Sequence, residues 1–141
     1  MDDLVQWLGE QLDEDERIAR AACWDEQSDV WTARPPQASY ERYTVVDYCD
    51  DAVVSVTPEN ADADGVGRHV AEHDPARVLR EIDATRQLLA LHEPAEMEYV
   101  DGDVCMACDV RGGEPFYPCK TLRLLTLPYA DRPGYREEWR P

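Results

Sequence analysis

The side chains best suited to chemistry are three cysteines and a histidine between positions 92 and 119. Cys105 and Cys108 form a C-x2-C knuckle, a spacing that lets two thiolates reach one ion while the intervening backbone N–H groups point at the sulfurs. Ten residues separate Cys108 from Cys119, and twelve separate His92 from Cys105. Structural zinc sites use four nitrogen and sulfur ligands in a tetrahedron. The spacing therefore predicts a Zn²⁺ site made by His92, Cys105, Cys108 and Cys119.

Four protein ligands leave no coordination position for water, so the predicted ion is structural and not catalytic. The alternative is that His92 caps a helix and that the cysteines are free thiols or a redox pair. Cys23 and Cys49 have apolar or strand-like neighbours, and we expect buried free thiols there. His69 and His73 lack the H-E-x-x-H pattern of a zinc-binding helix, so surface or capping roles are expected for them.

A catalytic zinc site is the other chemistry that histidine, glutamate and paired cysteines could supply. Zinc deaminases carry H-x-E followed by P-C-x-x-C. Here Glu93 follows His92 directly, Val104 precedes Cys105, and a third cysteine would occupy the place of the reactive water. A zinc-dependent hydrolase or deaminase is therefore disfavoured, and no catalytic residue is predicted.

The chain is strongly acidic, with 31 Asp and Glu residues against 14 Lys and Arg and a net charge of -17. Residues 1–30 carry ten acids and two bases, and residues 47–74 carry eight acids and one base. Nucleic-acid affinity comes largely from basic side chains that neutralise phosphates, so direct nucleic-acid binding is not expected. The charge predicts at least one negative face, which either only solubilises the protein or docks to a basic protein surface.

Hydrophobic periodicity predicts the elements that position these residues. An acidic amphipathic helix is expected from about Asp3 to Ala22. Alternating β-branched and aromatic runs at 30–33, 40–47 and 52–57 predict a small antiparallel meander. A short helical turn is expected at 68–73.

A second set of signals covers the remainder of the chain. Asp74-Pro75 is typical of a helix start, because the carboxylate caps free N–H groups and proline suits the first turn, so a central helix should run to about His92. Residues 93–118 are expected to be loop, apart from a short hairpin around 97–108 and a bend at Gly112-Gly113. A short final helix is predicted at 121–127. We expect one α+β domain over residues 1–141, in which the zinc ion ties together the part from about 92 to 141.

Two further expectations concern aromatic residues and location. Trp and Tyr are enriched at interaction hot spots, yet core packing is expected for most of Trp7, Trp24, Trp31, Tyr117 and Trp139. No apolar run approaches the roughly 18 residues of a membrane span, and the start lacks a basic region followed by an apolar one. The five cysteines, an odd number, also suit a reducing compartment, so a cytoplasmic location is expected.

Three segments carry a family pattern: LVQWLGEQLDEDE from Leu4, AEHDPARVLREI at 71–82 and TLRLLTLPYADRPGYREEW at 121–139. They resemble an uncharacterised family of small actinobacterial and actinophage proteins. Arg132 and Gly134 depart from the commoner His and Asp of that pattern. The resemblance implies an actinobacterial or phage setting and no established activity.

The combined prediction is a non-enzymatic, zinc-stabilised acidic module that binds a basic protein partner. One alternative is a phage-type inhibitor that mimics the charge of nucleic acid and blocks a defence or transcription protein. The identity of the partner and the oligomeric state are not predicted.

Overall fold

The computed structural model describes residues 3–108 and 116–141 and confirms the predicted α+β class. The helices of these ranges are α1 (Asp3–Ala21), α2 (Ala63–Glu72), α3 (Pro75–Leu91) and α4 (Lys120–Thr126), with short 3-10 turns at Leu127–Tyr129 and Glu137–Trp139. The strands are β1 (Thr32–Arg34), β2 (Thr44–Val46), β3 (Ala52–Ser55), β4 (Pro94–Glu96) and β5 (Asp103–Cys105). Among these elements, no helix is both long and apolar enough to cross a bilayer.

The chain divides into two compact units. Asp15–Glu81 form one, which we call the central unit; the segment that ends at Glu14 and Ile82–Pro141 form the other, the terminal unit. Each unit has its own cluster of buried side chains. The expectation of a single domain over 1–141 stays a prediction.

The central unit packs a three-stranded antiparallel sheet, in the order β1-β2-β3, against α2. Val45 of β2 is fully buried and pairs with Ala33 on one side and Val54 on the other. Tyr43, Val56 and Ala71 complete this core. The predicted meander is thus present, with shorter strands than the sequence runs indicated.

Helix α2 is longer than the short turn expected at 68–73. Asp62 caps it by accepting a hydrogen bond of 2.8 Å from the N–H of Gly65, so the helix begins at Ala63. Gly67 lies against Tyr43, where a Cβ atom would overlap the ring. The absence of a side chain at Gly67 therefore permits a close helix-to-ring contact.

Helix α3 begins as the sequence predicts. Asp74 Oδ1 accepts from the N–H of Arg77 at 2.9 Å, and Oδ2 accepts from the N–H of Trp31 at 3.0 Å. The buried carboxylate thus caps the helix and also ties it to the chain before β1.

The terminal unit is built around Leu4, Leu122 and Trp139, which pack with two of the cysteines. The C-terminal segment after α4, which we call the aromatic tail, carries Tyr129, Tyr135 and Trp139. It packs within this unit: Trp139 is 5% exposed, and its ring centroid lies 5.5 Å from that of Trp7. Trp7 Nε1 donates to the carbonyl oxygen of Pro133 at 3.1 Å. The N-terminal helix and the C-terminal tail therefore hold each other in place.

A hairpin of β4 and β5 follows α3. Pro94 pairs with Cys105 and Glu96 with Asp103, so the first strand starts earlier than the expected hairpin at 97–108. Proline can occupy the first residue of a strand, and here it both ends the helix and opens the hairpin. The expected bend at Gly112-Gly113 lies outside the described residues.

Candidate metal centre

The elements of the terminal unit bring the ends of four segments together. His92 directly follows α3, and its N–H donates to the carbonyl of Leu88 at 3.2 Å. Cys105 is the last residue of β5, Cys108 lies in the turn after it, and Cys119 directly precedes α4. Because Pro94 pairs with Cys105, the hairpin places the residues just before β4 beside those just after β5.

The ligand atoms of His92, Cys105, Cys108 and Cys119 all lie within 4.8 Å of one another. From His92 Nδ1, the Sγ atoms lie at 3.2 Å for Cys105, 3.5 Å for Cys119 and 3.8 Å for Cys108. A tetrahedral ion with zinc-like bond lengths would separate nitrogen and sulfur ligands by about 3.6 Å. The donor set fits one tetrahedral metal ion, with the imidazole presenting Nδ1.

The cluster belongs to the core of the terminal unit. Cys119 is 0% and Cys105 3% exposed, whereas His92 and Cys108 are half-buried. Both buried cysteines pack with Leu4 and Leu122. An ion held here would link the ends of α3, β5 and α4 to the apolar interior.

Backbone groups support the knuckle. The N–H of Met106 donates to the carbonyl of Glu93 at 2.9 Å, which holds the start of the knuckle against the segment that carries His92. The N–H of Tyr117 donates to the carbonyl of Asp103 at 3.0 Å and so brings the segment before Cys119 alongside β5. These hydrogen bonds could not be predicted from the sequence, because the backbone carbonyl of any residue could accept them.

Cys105 and Cys108 differ in acidity. Burial opposes ionisation of Cys105, but N–H groups of Ala107 and Cys108 and the thiols of Cys108 and Cys119 donate to its sulfur, and its pKa is lowered. Burial and hydrogen bonds to the other two thiols raise the pKa of Cys108 to about 12. Thiolates side by side repel one another, and a divalent cation removes that repulsion. The chemistry of the donor set is that of a cation site.

The other cysteines and histidines lie outside this cluster. Cys23 is half-buried, and Cys49 is exposed in the turn between β2 and β3, so the expectation of a buried thiol at Cys49 is wrong. That turn points the side chain outward, which strand-like neighbours could not indicate. His69 and His73 are exposed on α2, and His73 forms the C-cap, as the surface or capping prediction required.

Comparison with known proteins gives one match. None of the curated proteins and none of the solved structures matches this chain significantly. The model of one family, described as a family of unknown function, matches residues 1–141. This match confirms the expectation of an uncharacterised family. The chain belongs to the family DUF6221.

Proposed function

We propose that His92, Cys105, Cys108 and Cys119 hold one structural Zn²⁺ ion in a non-enzymatic module that binds a basic protein partner. The observation that supports the metal most directly is the convergence of four donor atoms within 4.8 Å. Thiolate and imidazole ligands in a tetrahedron favour zinc over Mg²⁺ and Ca²⁺, which prefer oxygen.

A structural role follows from the number of protein donors and from their position. Four donors fill the tetrahedron, so no open place is left for water or substrate. Two of the donors are buried among the apolar residues of the terminal unit. Zinc binding would therefore add directly to the folding free energy of this unit.

The metal is tested by native mass spectrometry of the full chain after purification without added chelator. The wild type is expected to carry one zinc ion, and Cys108→Ser to carry none and to unfold at lower denaturant concentration. His92→Cys should keep one ion, because a set of four cysteine thiolates also binds zinc.

Cys49→Ser is the matched control, since it removes an exposed thiol outside the cluster. It should retain the metal. A folded wild type without metal, at full zinc supply, would overturn the zinc assignment and favour free thiols or a redox pair.

The basic partner is supported by charge. The net charge of -17 comes from three acidic segments of the sequence, residues 1–30, 47–74 and 93–119. Complementary charge speeds association and selects partners. We expect a fluorescent peptide rich in Arg and Lys to bind the zinc-loaded protein with an affinity that falls steadily as salt rises. Absence of binding at low salt would contradict this part of the proposal.

A further inference from the structure

Trp24 and Tyr48 form an exposed aromatic pair in the central unit. Core packing is expected for most tryptophans, yet the Trp24 residue is 63% exposed and Tyr48 is 46% exposed. Their rings stack with centroids 5.8 Å apart and an interplanar angle of 17°. Large exposed aromatic side chains of this kind are typical of binding hot spots.

Hydrogen bonds hold both rings in place. Trp24 Nε1 donates to Asp47 Oδ2 at 2.7 Å, and the Tyr48 hydroxyl donates to Asp25. Asp47 is itself buried and fixed by the N–H groups of Cys49 and Asp51, at 2.9 and 3.1 Å. The pair is therefore preorganised, which lowers the entropy cost of binding a ligand.

Trp24 is one of the residues that line two clefts. One, of about 400 Å³, is also lined by Asp25, Glu26 and Asp29. The other, of about 490 Å³, is also lined by Asp47 and Asp51. Both volumes lie within the range of ligand sites in proteins, roughly 300–1,000 Å³.

The charge around the ring is negative. Arg20 also lines the smaller cleft, but its guanidinium is paired with Glu16 at 3.0 Å. The hydrogen bond from Tyr48 lowers the pKa of Asp25, and that from Trp24 lowers the pKa of Asp47, so both are ionised at neutral pH. These acids come from the two most acidic segments of the chain, 1–30 and 47–74.

An indole face beside carboxylates suits a planar cation. A cation within about 6 Å of an aromatic centroid is attracted by the ring quadrupole, and Trp is the best ring for this interaction. A guanidinium can stack flat on the ring and donate several N–H bonds to carboxylates at its edge. An ammonium group is also attracted to the ring, but it is not planar, so it cannot stack flat on the indole or donate paired N–H bonds from a fixed fork.

We propose that Trp24, stacked on Tyr48 and bordered by Asp25, Glu26 and Asp29, forms a binding site for an arginine side chain of a basic protein. This proposal rests on the proposed function and names the part of the surface at which the partner docks. The guanidinium lies over the indole, and the carboxylates accept its N–H groups.

The test is a titration of the zinc-loaded full chain, followed by the four indole N–H signals in ¹H–¹⁵N spectra at physiological salt. The probes are the peptides Gly-Arg-Arg-Gly and Gly-Lys-Lys-Gly and an uncharged citrulline analogue. Trp24→Phe identifies the Trp24 signal. We expect that signal to shift most, with the arginine peptide binding at least tenfold more tightly than the citrulline peptide and more tightly than the lysine peptide.

Matched variants separate this site from the general charge of the protein. Glu26→Gln with Asp29→Asn removes two charges beside Trp24 and leaves the stacked pair intact. Glu96→Gln with Glu98→Gln removes two exposed charges from the terminal unit. The first double variant should weaken arginine binding at least fivefold more than the second. Trp24→Ala should likewise weaken arginine binding at least fivefold more than Tyr99→Ala, which removes a nearly fully exposed ring.

The outcomes distinguish this site from the proposed function. If the two double variants weaken binding of the arginine peptide equally, the site at Trp24 is overturned. The proposal of a basic partner would remain, because the peptide still binds. Equal affinity for the lysine and arginine peptides would overturn the assignment to arginine. If no peptide shifts any signal, the site is overturned, and the proposal of a basic partner stands or falls on its own peptide assay.

Discussion

Gly134 lies where both the backbone conformation and a neighbouring ring disfavour a side chain. Its φ is +91°, and a Cβ atom there would lie 2.6 Å from Trp7 Nε1. Gly102 has a similar φ of +88°, but a Cβ atom there would have nothing within 4 Å. The two glycines thus separate backbone strain from steric overlap.

We predict that Gly102→Ala costs about 1–2 kcal/mol, the strain of a left-handed backbone for a residue with a Cβ. Gly134→Ala should cost roughly 1 kcal/mol more, because the clash also disturbs the hydrogen bond from Trp7 to Pro133. Urea unfolding of the zinc-loaded protein measures both. Equal losses would contradict the role assigned to the Trp7 contact.

Asp47 makes the stability of the central unit depend on pH. Its pKa is lowered chiefly by the hydrogen bond from Trp24, so its contribution to stability is present above the pKa of the unfolded chain, about 3.9, and is lost as the pH falls through its folded pKa. Asp47→Asn should therefore be less stable than the wild type at pH 7, and the difference should shrink below about pH 4. Chemical unfolding at several pH values measures it, with the exposed neighbour Asp50→Asn as control. A difference that does not change with pH would refute this assignment.

At the scale of elements, the same substitution should have opposite effects in two helices. Gly9 lies inside α1 with open space at its Cβ position, so Gly9→Ala should stabilise the protein by roughly 0.5–1 kcal/mol. Gly67 lies inside α2 against Tyr43, whose hydroxyl donates to Asp64 at 2.7 Å and holds the ring in place. Gly67→Ala should destabilise by about 1–3 kcal/mol, as overpacking does.

Thermal and urea unfolding of both variants test this pair. Both substitutions gain the same helix propensity. The difference between their changes in unfolding free energy therefore measures the cost of overlap with Tyr43. If both substitutions stabilise the protein, the ring of Tyr43 moves aside at little cost in free energy, and the prediction for Gly67→Ala is wrong.

At the scale of the whole molecule, each compact unit has its own core, and the candidate metal centre belongs to the terminal unit alone. Removing the ion should therefore act unevenly along the chain. We expect a strong chelator to reduce amide protection in β4, β5 and α4 at least tenfold, while β2 and α2 keep most of their protection.

Hydrogen exchange with mass spectrometry measures this prediction. Cys108→Ser without chelator should reproduce the pattern, and Cys49→Ser with zinc should match the wild type. Equal loss of protection in β2 and β4 would mean that the two units unfold as one.

Features that depend on neighbouring residues could be predicted from the amino-acid sequence. The C-x2-C knuckle, the Asp74-Pro75 helix start and the amphipathic N-terminal helix all depend on residues a few positions apart. In the structure Asp74 caps α3, and Leu4, Leu8 and Leu12 of α1 are buried. The set of His92 and the three cysteines could also be predicted, because the C-x2-C spacing indicated a metal site and His92 and Cys119 could complete a tetrahedral set. The existence of the elements was easier to predict than their ends.

Features that depend on contacts between distant segments could not be predicted from local sequence. Strand β4 starts at Pro94, which pairs with Cys105, and Gly67 of α2 lies so close to the ring of Tyr43 that no side chain fits there. The exposure of Trp24 is of the same kind: its hydrogen bond to Asp47 crosses 23 positions of the chain, and local spacing carries no information about such a partner. A periodic pattern reports which face of an element is apolar, whereas only the packed structure determines what that face, or an exposed ring, meets.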